Sequence, residues 1–555
     1  MLRPCLNLPL SLLRETIQMK ITKNKNHDFL KTAGKGAIAI ALVVWANIIQ
    51  ATPVRLSQQK PNIILILTDD QGWTDTAIQM MPNRPDSKSE YYRTPNLERL
   101  AREGMCFSNA YSPTPVCSPT RTSIQFGKTA ARLKNTGHYR SASKCEEEIG
   151  IAQMVKAGHS DYVTAHFGKW GLKRTPQDIG YDVSDGFTNN FHGDWRSTID
   201  RRAVAADDPK QIFAISRRAN NFMEEQVKDG RPFFMQISHY ALHVQHRALK
   251  STIEKYRNLP RGKKCRDEDY STPPPPLNEW MLEYAAMIEN MDSGIGMVMD
   301  KINQLGISEN TYIIFTSDNG GSFRGNGPLR GEKGSLWEGG IRVPTVARGP
   351  GIKAGSFCDV PVVGWDLFPT INDLIGNKNP LPEGIDGGSW RTLFENEGKG
   401  KVERKNEGLV FHFPYYNPGP QSAIRMGDYK LIKDLETDEF FLYNLVEDIG
   451  ESNNLTKDMP VKAGELYQKL MNYLKAVDAE RAEDIHLDRI SQLEDELQRL
   501  HERRRELVVS DNPGATDEFL RSNLRMRFIQ ETKKQQDERW QRIMELKKEN
   551  SEGFE

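Results

Sequence analysis

From about residue 60 to 400, apolar positions fall into short unbroken runs separated by longer amphipathic stretches. Pro61-Asn62 opens the first run, Ile63 to Thr68. It is apolar on both faces, the pattern of a central strand in a parallel sheet. Thr94-Pro95-Asn96-Leu97 reads as a capped helix start with Pro95 in the first turn. Asp161 to Phe167 and Phe233 to Ser238 are two further strands. Met281 to Leu305 carries a helical period and leads into another strand at 311–317. Strands alternating with helices predict an α/β fold, a sheet with helices on both faces.

The texture changes near residue 405. Ala423 to Ile432 and Phe440 to Leu445 read as antiparallel strands, and Lys462 to Leu474 as a helix packed on them, a small α+β domain. Beyond 478, Ile490, Leu493, Leu497, Leu500 and Leu507 follow a heptad seam, with Arg504 at the missing position. Asp511 to Gly514 is a turn. A second helical segment carries Leu524, Phe528, Trp540, Ile543 and Leu546. The tail therefore reads as a helical hairpin, as a coil that self-associates through its C-terminal helices, or as a charged helix along the body.

At the other end, Lys20, Lys23, Lys25, Lys31 and Lys35 precede a short apolar run, Gly36 to Trp45. It is too short for an ordinary transmembrane helix. It predicts export to the periplasm or beyond the cell, by a signal cleaved after Ala51 or kept as an N-terminal anchor; Met19 is an alternative start. The divisions are 1–51 for export or anchoring, 52–404 for a catalytic α/β domain, 405–477 for the small domain and 478–555 for the extension. The run Pro273 to Pro276 marks an exposed loop.

The chain has 555 residues, with 75 Lys+Arg balancing 75 Asp+Glu. No global basic field points to nucleic acid. Six cysteines, with no Cys-x-x-Cys pair, make neither a disulfide framework nor a zinc site.

The candidate chemistry sits where strands end. The run at 63–68 closes on Asp69-Asp70, and that at 311–317 on Asp318-Asn319. Ligand sites of open α/β sheets lie beyond the carboxyl ends of the strands. Three carboxylates and an amide there form an all-oxygen set suited to Ca²⁺, with Mg²⁺ as the alternative. Cys117-Ser118-Pro119-Thr120-Arg121 predicts a helix starting at the cysteine, because proline is tolerated in a first turn. Lys169 and His243 follow two strands, and Lys333 lies in a glycine-rich loop after Asp318-Asn319. Several cations beside the acidic pairs suggest a pocket for a tetrahedral anion.

These motifs together resemble those of the formylglycine-dependent type I sulfatases of the alkaline phosphatase superfamily, over roughly residues 60 to 475. Asn62 to Gly72 resembles the family's first metal strand, and Cys117 to Arg121 its signature. The resemblance implies an alkaline phosphatase-like α/β fold, a large mixed sheet sandwiched by helices, and conversion of Cys117 to Cα-formylglycine by a formylglycine-generating maturation enzyme. It implies metal ligation by Asp69, Asp70, residue 117, Asp318 and Asn319, and catalytic roles for Cys117, Arg121, Lys169, His243 and Lys333. The implied reaction is hydrolysis of a sulfate ester on a sulfated small molecule or glycan, through attack by the aldehyde hydrate on sulfur. Trp337 to Pro344 continues the Lys333 motif.

Three positions depart from the family pattern. Thr120 stands for the usual serine, Phe126 for threonine, and Gly171 for a histidine that helps deprotonate the hydrate. His138, His166 and a water are the substitutes considered, and His412 is a candidate to reach the substrate from the small domain. The same residues also admit a phosphoester or phosphonate hydrolase, or a sulfated-glycan binding protein without turnover.

Overall fold

The computed structural model describes residues 60–137, 145, 147–193, 207–260, 278–322, 326–415, 419–508 and 515–552. The export segment, His138, the proline run and the turn at 511–514 lie outside the described residues. The strands are β1 (Asn62–Thr68), β2 (Met105–Phe107), β3 (Ala110–Tyr111), β4 (Val163–Gly168), β5 (Val183–Ser184), β6 (Phe233–Ser238) and β7 (Thr311–Ser317). They continue as β8 (Val346–Arg348), β9 (Ser356–Cys358), β10 (Val362–Val363), β11 (Leu409–Phe413), β12 (Gln421–Met426), β13 (Tyr429–Asp434) and β14 (Phe440–Asn444). The longer helices are α1 (Pro95–Glu103), α2 (Cys117–Phe126), α3 (Ile151–Gly158), α4 (Ile212–Lys228) and α5 (Lys250–Arg257). They continue as α6 (Glu279–Gln304), α7 (Leu367–Leu374), α8 (Pro460–Ala476), α9 (Ala482–Val508) and α10 (Ala515–Glu552).

Eight strands form one mixed sheet in the order β5-β4-β6-β1-β7-β8-β2-β9. From β5 to β7 they run parallel; β8 is antiparallel to β7 and to β2, and β9 is parallel to β2. The apolar run of β1 is buried on both sides because alternate side chains enter two different cores. Ile64 and Ile66 pack with Met235, Phe315 and helices α1, α4 and α6. Ile63, Leu65 and Leu67 pack with Phe234, Ile314 and helices α2, α3 and α7. Each side chain so buried contributes roughly 1.5–3 kcal/mol. The register pairs Leu67 and Gly168 with Ser238, and Thr68 with Ser317. Four adjacent parallel strands therefore end at one level.

The antiparallel sheet β11-β12-β13-β14 follows. The stretch 423–432, which reads as one strand, is two, because Gly427 takes a left-handed turn (φ 59°) between β12 and β13. One face packs on the main body through Phe411, Ala423 and Ile432, against Tyr111 and Trp365. The other carries Leu431 and Leu442 under Leu466 and Leu470 of α8.

The tail folds as a pair of packed helices, α9 and α10. Leu493 and Leu507 of the heptad seam are buried. In its first half the second helix uses a different face from the expected one: Met526 and Ile529 are buried, whereas Leu524 and Phe528 are exposed; farther on, Trp540 packs as expected. The base of the hairpin touches the small domain, where Ala482 packs with Leu435 and Trp540 and Arg539 pairs with Glu436. No helix of the described residues is long and apolar enough to cross a membrane.

Candidate active site

Each of the four level strand ends delivers one part of the site: β1 delivers Asp69 and Asp70, β7 Asp318 and Asn319, β4 Lys169, and β6 the turn that carries His243. Helix α2 begins at Cys117, as the proline in its first turn predicts. Cys117, Asp69 and Asp318 are buried and offer ligand atoms within 4.8 Å of one another. Cys106, Cys117, Cys145 and Cys358 form no disulfide among the described residues.

A closed set of charged contacts holds the cluster. Arg121, one turn after Cys117, donates from Nε and Nη2 to Oδ2 of Asp318 (2.9 and 2.7 Å) and from Nη1 to the Lys169 carbonyl (2.7 Å). Lys169 Nζ donates to Oδ2 of Asp69 (2.7 Å). Asp70 takes a left-handed backbone (φ 63°), and its N–H donates to Oδ1 of Asp318 (3.1 Å). The Asp70 carboxylate accepts from Asn319 Nδ2 (2.9 Å), Ser322 Oγ (2.9 Å) and Lys333 Nζ. The structure thus brings Asp69, Asp70, Cys117, Arg121, Lys169, Asp318, Asn319 and Lys333 into one cluster.

Burial alone would raise every carboxyl here. For Asp69 that push is outweighed by Lys169 and His243, and for Asp70 by Lys333 and His243, so both lie below the usual carboxylate range. Asp318 is raised by burial and by the adjacent Asp69 charge, against Arg121 and Lys169. Burial lowers His243, against the Asp69 and Asp70 charges that raise it. Burial likewise works against the Lys333 cation, but Asp70 holds it charged.

The residues fit a hard divalent cation. Oδ1 of Asp69 and Oδ1 of Asn319 are buried and accept no hydrogen bond among the described residues. Buried acceptors without a donor are uncommon in folded proteins, and oxygen donors are what Ca²⁺ and Mg²⁺ select.

His243 is anchored beside the cluster by its Nδ1 to the Val244 carbonyl (2.6 Å), with Asn190 Nδ2 at 3.3 Å from Nε2. Gly171 has φ 80°, and a Cβ there would stand 3.2 Å from Arg121 Cδ and 3.7 Å from Ser118 Oγ. The position of the missing histidine therefore faces the arginine and the helix start. His166 does not replace it as an open base. It is fully buried in β4, bonded through Nε2 to Ser238 Oγ (3.1 Å), packed edge-on against Trp170, and lowered by burial to about 3. His412 is a packed residue, held between Ser422 Oγ and the Glu480 carbonyl (both 2.7 Å) and lowered by burial to about 4. Sequence reasoning missed Ser322 and Asn190. Ser322 follows Asp318-Asn319-Gly320-Gly321 and was within reach of that motif; Asn190 lies in a polar loop with no signal of its own.

A large mixed sheet with an acidic and basic cluster at its carboxyl edge, and an antiparallel sheet docked beside it, is an alkaline phosphatase-like architecture. The chain belongs to the sulfatase family: residues 61–377 match Sulfatase, and residues 332–480 match N-sulphoglucosamine sulphohydrolase, C-terminal. A sulfatase of Formosa agariphila is 30% identical over 513 residues, covering 76% of this chain and 89% of that protein. An ulvan-active sulfatase of the same organism is 29% identical, covering 72% of this chain and 78% of its own length. The N-acetylgalactosamine-6-sulfatase of Mus musculus is 28% identical, covering 67% and 72%. Among solved structures, Ps i-CgsB superposes with a TM-score of 0.61 at 25% identity, covering 75% of this chain and 93% of that one. BT4656, solved with D-glucosamine-2-N,6-O-disulfate, shares the fold with a TM-score of 0.60 at 24% identity, covering 76% and 98%.

Proposed function

We propose that this sulfatase releases inorganic sulfate from a sulfated sugar or polysaccharide, using residue 117 as formylglycine and a divalent cation, Ca²⁺ or else Mg²⁺. One observation carries the reading: a helix that starts with Cys117 meets Asp69 and Asp318 at the sheet edge. Asp69, Asp70, Asp318 and Asn319 would hold the cation. When present, the aldehyde supplies a hydrate hydroxyl as the nucleophile, and the cation favours its deprotonated form.

The chain's own groups do the rest. Buried Arg121 and Lys169 and part-buried Lys333 are cations around residue 117, and they stabilise negative charge on the transferring sulfuryl group. A low-dielectric pocket makes that stabilisation larger than it would be in water. His243 presents an imidazole beside the same cations, on the side assigned to the leaving oxygen. The relatives active on ulvan and on N-acetylgalactosamine 6-sulfate support a glycan substrate, and a small aryl sulfate should also enter. Export and a formylglycine-generating enzyme as maturation partner belong to the same proposal.

The test is sulfate release, followed by ion chromatography, from a panel of sulfated polysaccharides and 4-nitrophenyl sulfate after co-expression with a formylglycine-generating enzyme. Release that disappears in Cys117→Ala is the expected result. Cleavage of a phosphonate monoester with no sulfate released from any member of the panel would overturn the proposal.

A further inference from the structure

The loop from Thr188 to Gly193 is fastened to the strand end that carries Lys169. Trp170 N–H donates to Thr188 Oγ1 (2.9 Å), Gly171 N–H to the Thr188 carbonyl (3.1 Å), and Thr188 Oγ1 to the Gly168 carbonyl (2.6 Å). These bonds bring Asn190, two residues on, to His243.

Hydrogen-bond chemistry fixes how the two side chains face each other. A carbonyl oxygen only accepts, so the 2.6 Å contact of His243 Nδ1 with the Val244 carbonyl requires a proton on Nδ1. In the neutral ring Nε2 is then an acceptor, and Asn190 must offer it the amide nitrogen, at 3.3 Å. The Asn190 carboxamide oxygen is thereby turned away from the ring. It is buried and has no hydrogen-bond partner among the described residues. A buried amide oxygen without a donor costs free energy until a ligand supplies one.

Resting on the sulfatase reading above, we propose that Asn190 reads the leaving group: its side-chain oxygen accepts a hydrogen bond from the sugar hydroxyl nearest the sulfate ester, which in a 6-sulfate is the 4-hydroxyl, while its amide nitrogen positions His243. The arrangement discriminates between a sugar sulfate and the sulfate ion, because Asn190 bonds to His243 and makes no contact with Arg121, Lys169 or Lys333 among its hydrogen bonds.

The experiment measures binding by calorimetry on full-length Cys117→Ala protein with Ca²⁺. The probes are inorganic sulfate, a set of monosaccharide 2-, 3-, 4- and 6-sulfates, and the deoxy analogue of the tightest of these lacking the hydroxyl nearest the sulfate ester. In the Asn190→Ala background the sugar sulfate should bind about threefold to tenfold more weakly, the value of one hydrogen bond. Removing the sugar hydroxyl should cost the same, and both changes together no more than either alone. Sulfate affinity should not move, which also shows that the variant is folded. Additive losses, an equal loss for inorganic sulfate, or no monosaccharide sulfate binding better than sulfate itself would overturn the assignment. Because binding needs no formylglycine, a matured enzyme without turnover counts against the sulfatase reading alone.

Discussion

Arg121 places both Nε and Nη2 on a single oxygen of Asp318, leaving Oδ1 of the same carboxylate to the Asp70 amide. One side chain of helix α2 is thereby tied to the ends of β1 and β7. Both partners are almost completely buried.

Breaking a buried pair from one side leaves an uncompensated charge, at about 3–5 kcal/mol. Arg121→Gln should therefore lose about that much stability in a denaturant titration without added cation. It should also lower kcat/KM on 4-nitrophenyl sulfate by at least about a hundredfold, since about 2.7 kcal/mol of charge stabilisation corresponds to that factor. Unchanged turnover would remove the guanidinium from the reaction.

The orphaned oxygens of Asp69 and Asn319 predict a response to calcium. A ligand that binds only the folded state stabilises by about 2.7 kcal/mol at a hundredfold excess over its Kd. Wild-type protein should melt several degrees higher in calcium than in chelator. Asp318→Asn also leaves the buried Arg121 without its partner, so it should melt lower than the wild type in chelator and lose most of that increment in calcium.

The sequence already placed most of this cluster, because strands buried on both faces announce themselves by unbroken apolar runs. The first polar residues after Thr68 and Ser317 then had to lie at the sheet edge. Proline at position 119 likewise predicted the start of α2. Other features were not legible. The face of α10 depends on where α9 lies, so Leu524 and Phe528 look like core in the sequence and are exposed in the fold. His412 sits in an apolar stretch whose partners, Ser422 and Glu480, come from elsewhere in the chain. Asn190 acquires meaning only when the loop at 188 is pinned to β4.

Gly171 tests whether the family's histidine could simply be restored. Its φ of 80° is one that side chains rarely adopt, and the new Cβ would press on Arg121 at 3.2 Å. Gly171→His should cost about 1–3 kcal/mol of stability and fail to raise kcat on the aryl sulfate. A faster enzyme of unchanged melting temperature would show that the site lacks only that base.

Lys430 lies between Glu338 (2.8 Å) and Glu451 (2.9 Å) where the small domain meets the main body. Burial and the Glu338 charge, against the attraction of Lys430, raise Glu451 from 4.5 to about 7. A carboxyl raised on folding binds its proton more tightly in the native state, so stability falls as pH rises from about 4.5 through 7. Glu338, lowered to about 2 because Lys430 and Arg342 outweigh its burial, acts below that window. Glu451→Gln should therefore gain on the wild type between pH 5 and pH 8, by up to about 3 kcal/mol. Denaturant midpoints at the two pH values check this; a constant difference would contradict it.

The central claim is that Cys117 becomes the nucleophile-bearing residue. Its most direct test is mass spectrometry of the tryptic peptide Glu103–Arg121 after co-expression with a formylglycine-generating enzyme. The account predicts a thiol-to-aldehyde change at Cys117 with Cys106 intact. A peptide that stays fully thiol at both positions, from protein that nevertheless releases sulfate, would contradict it.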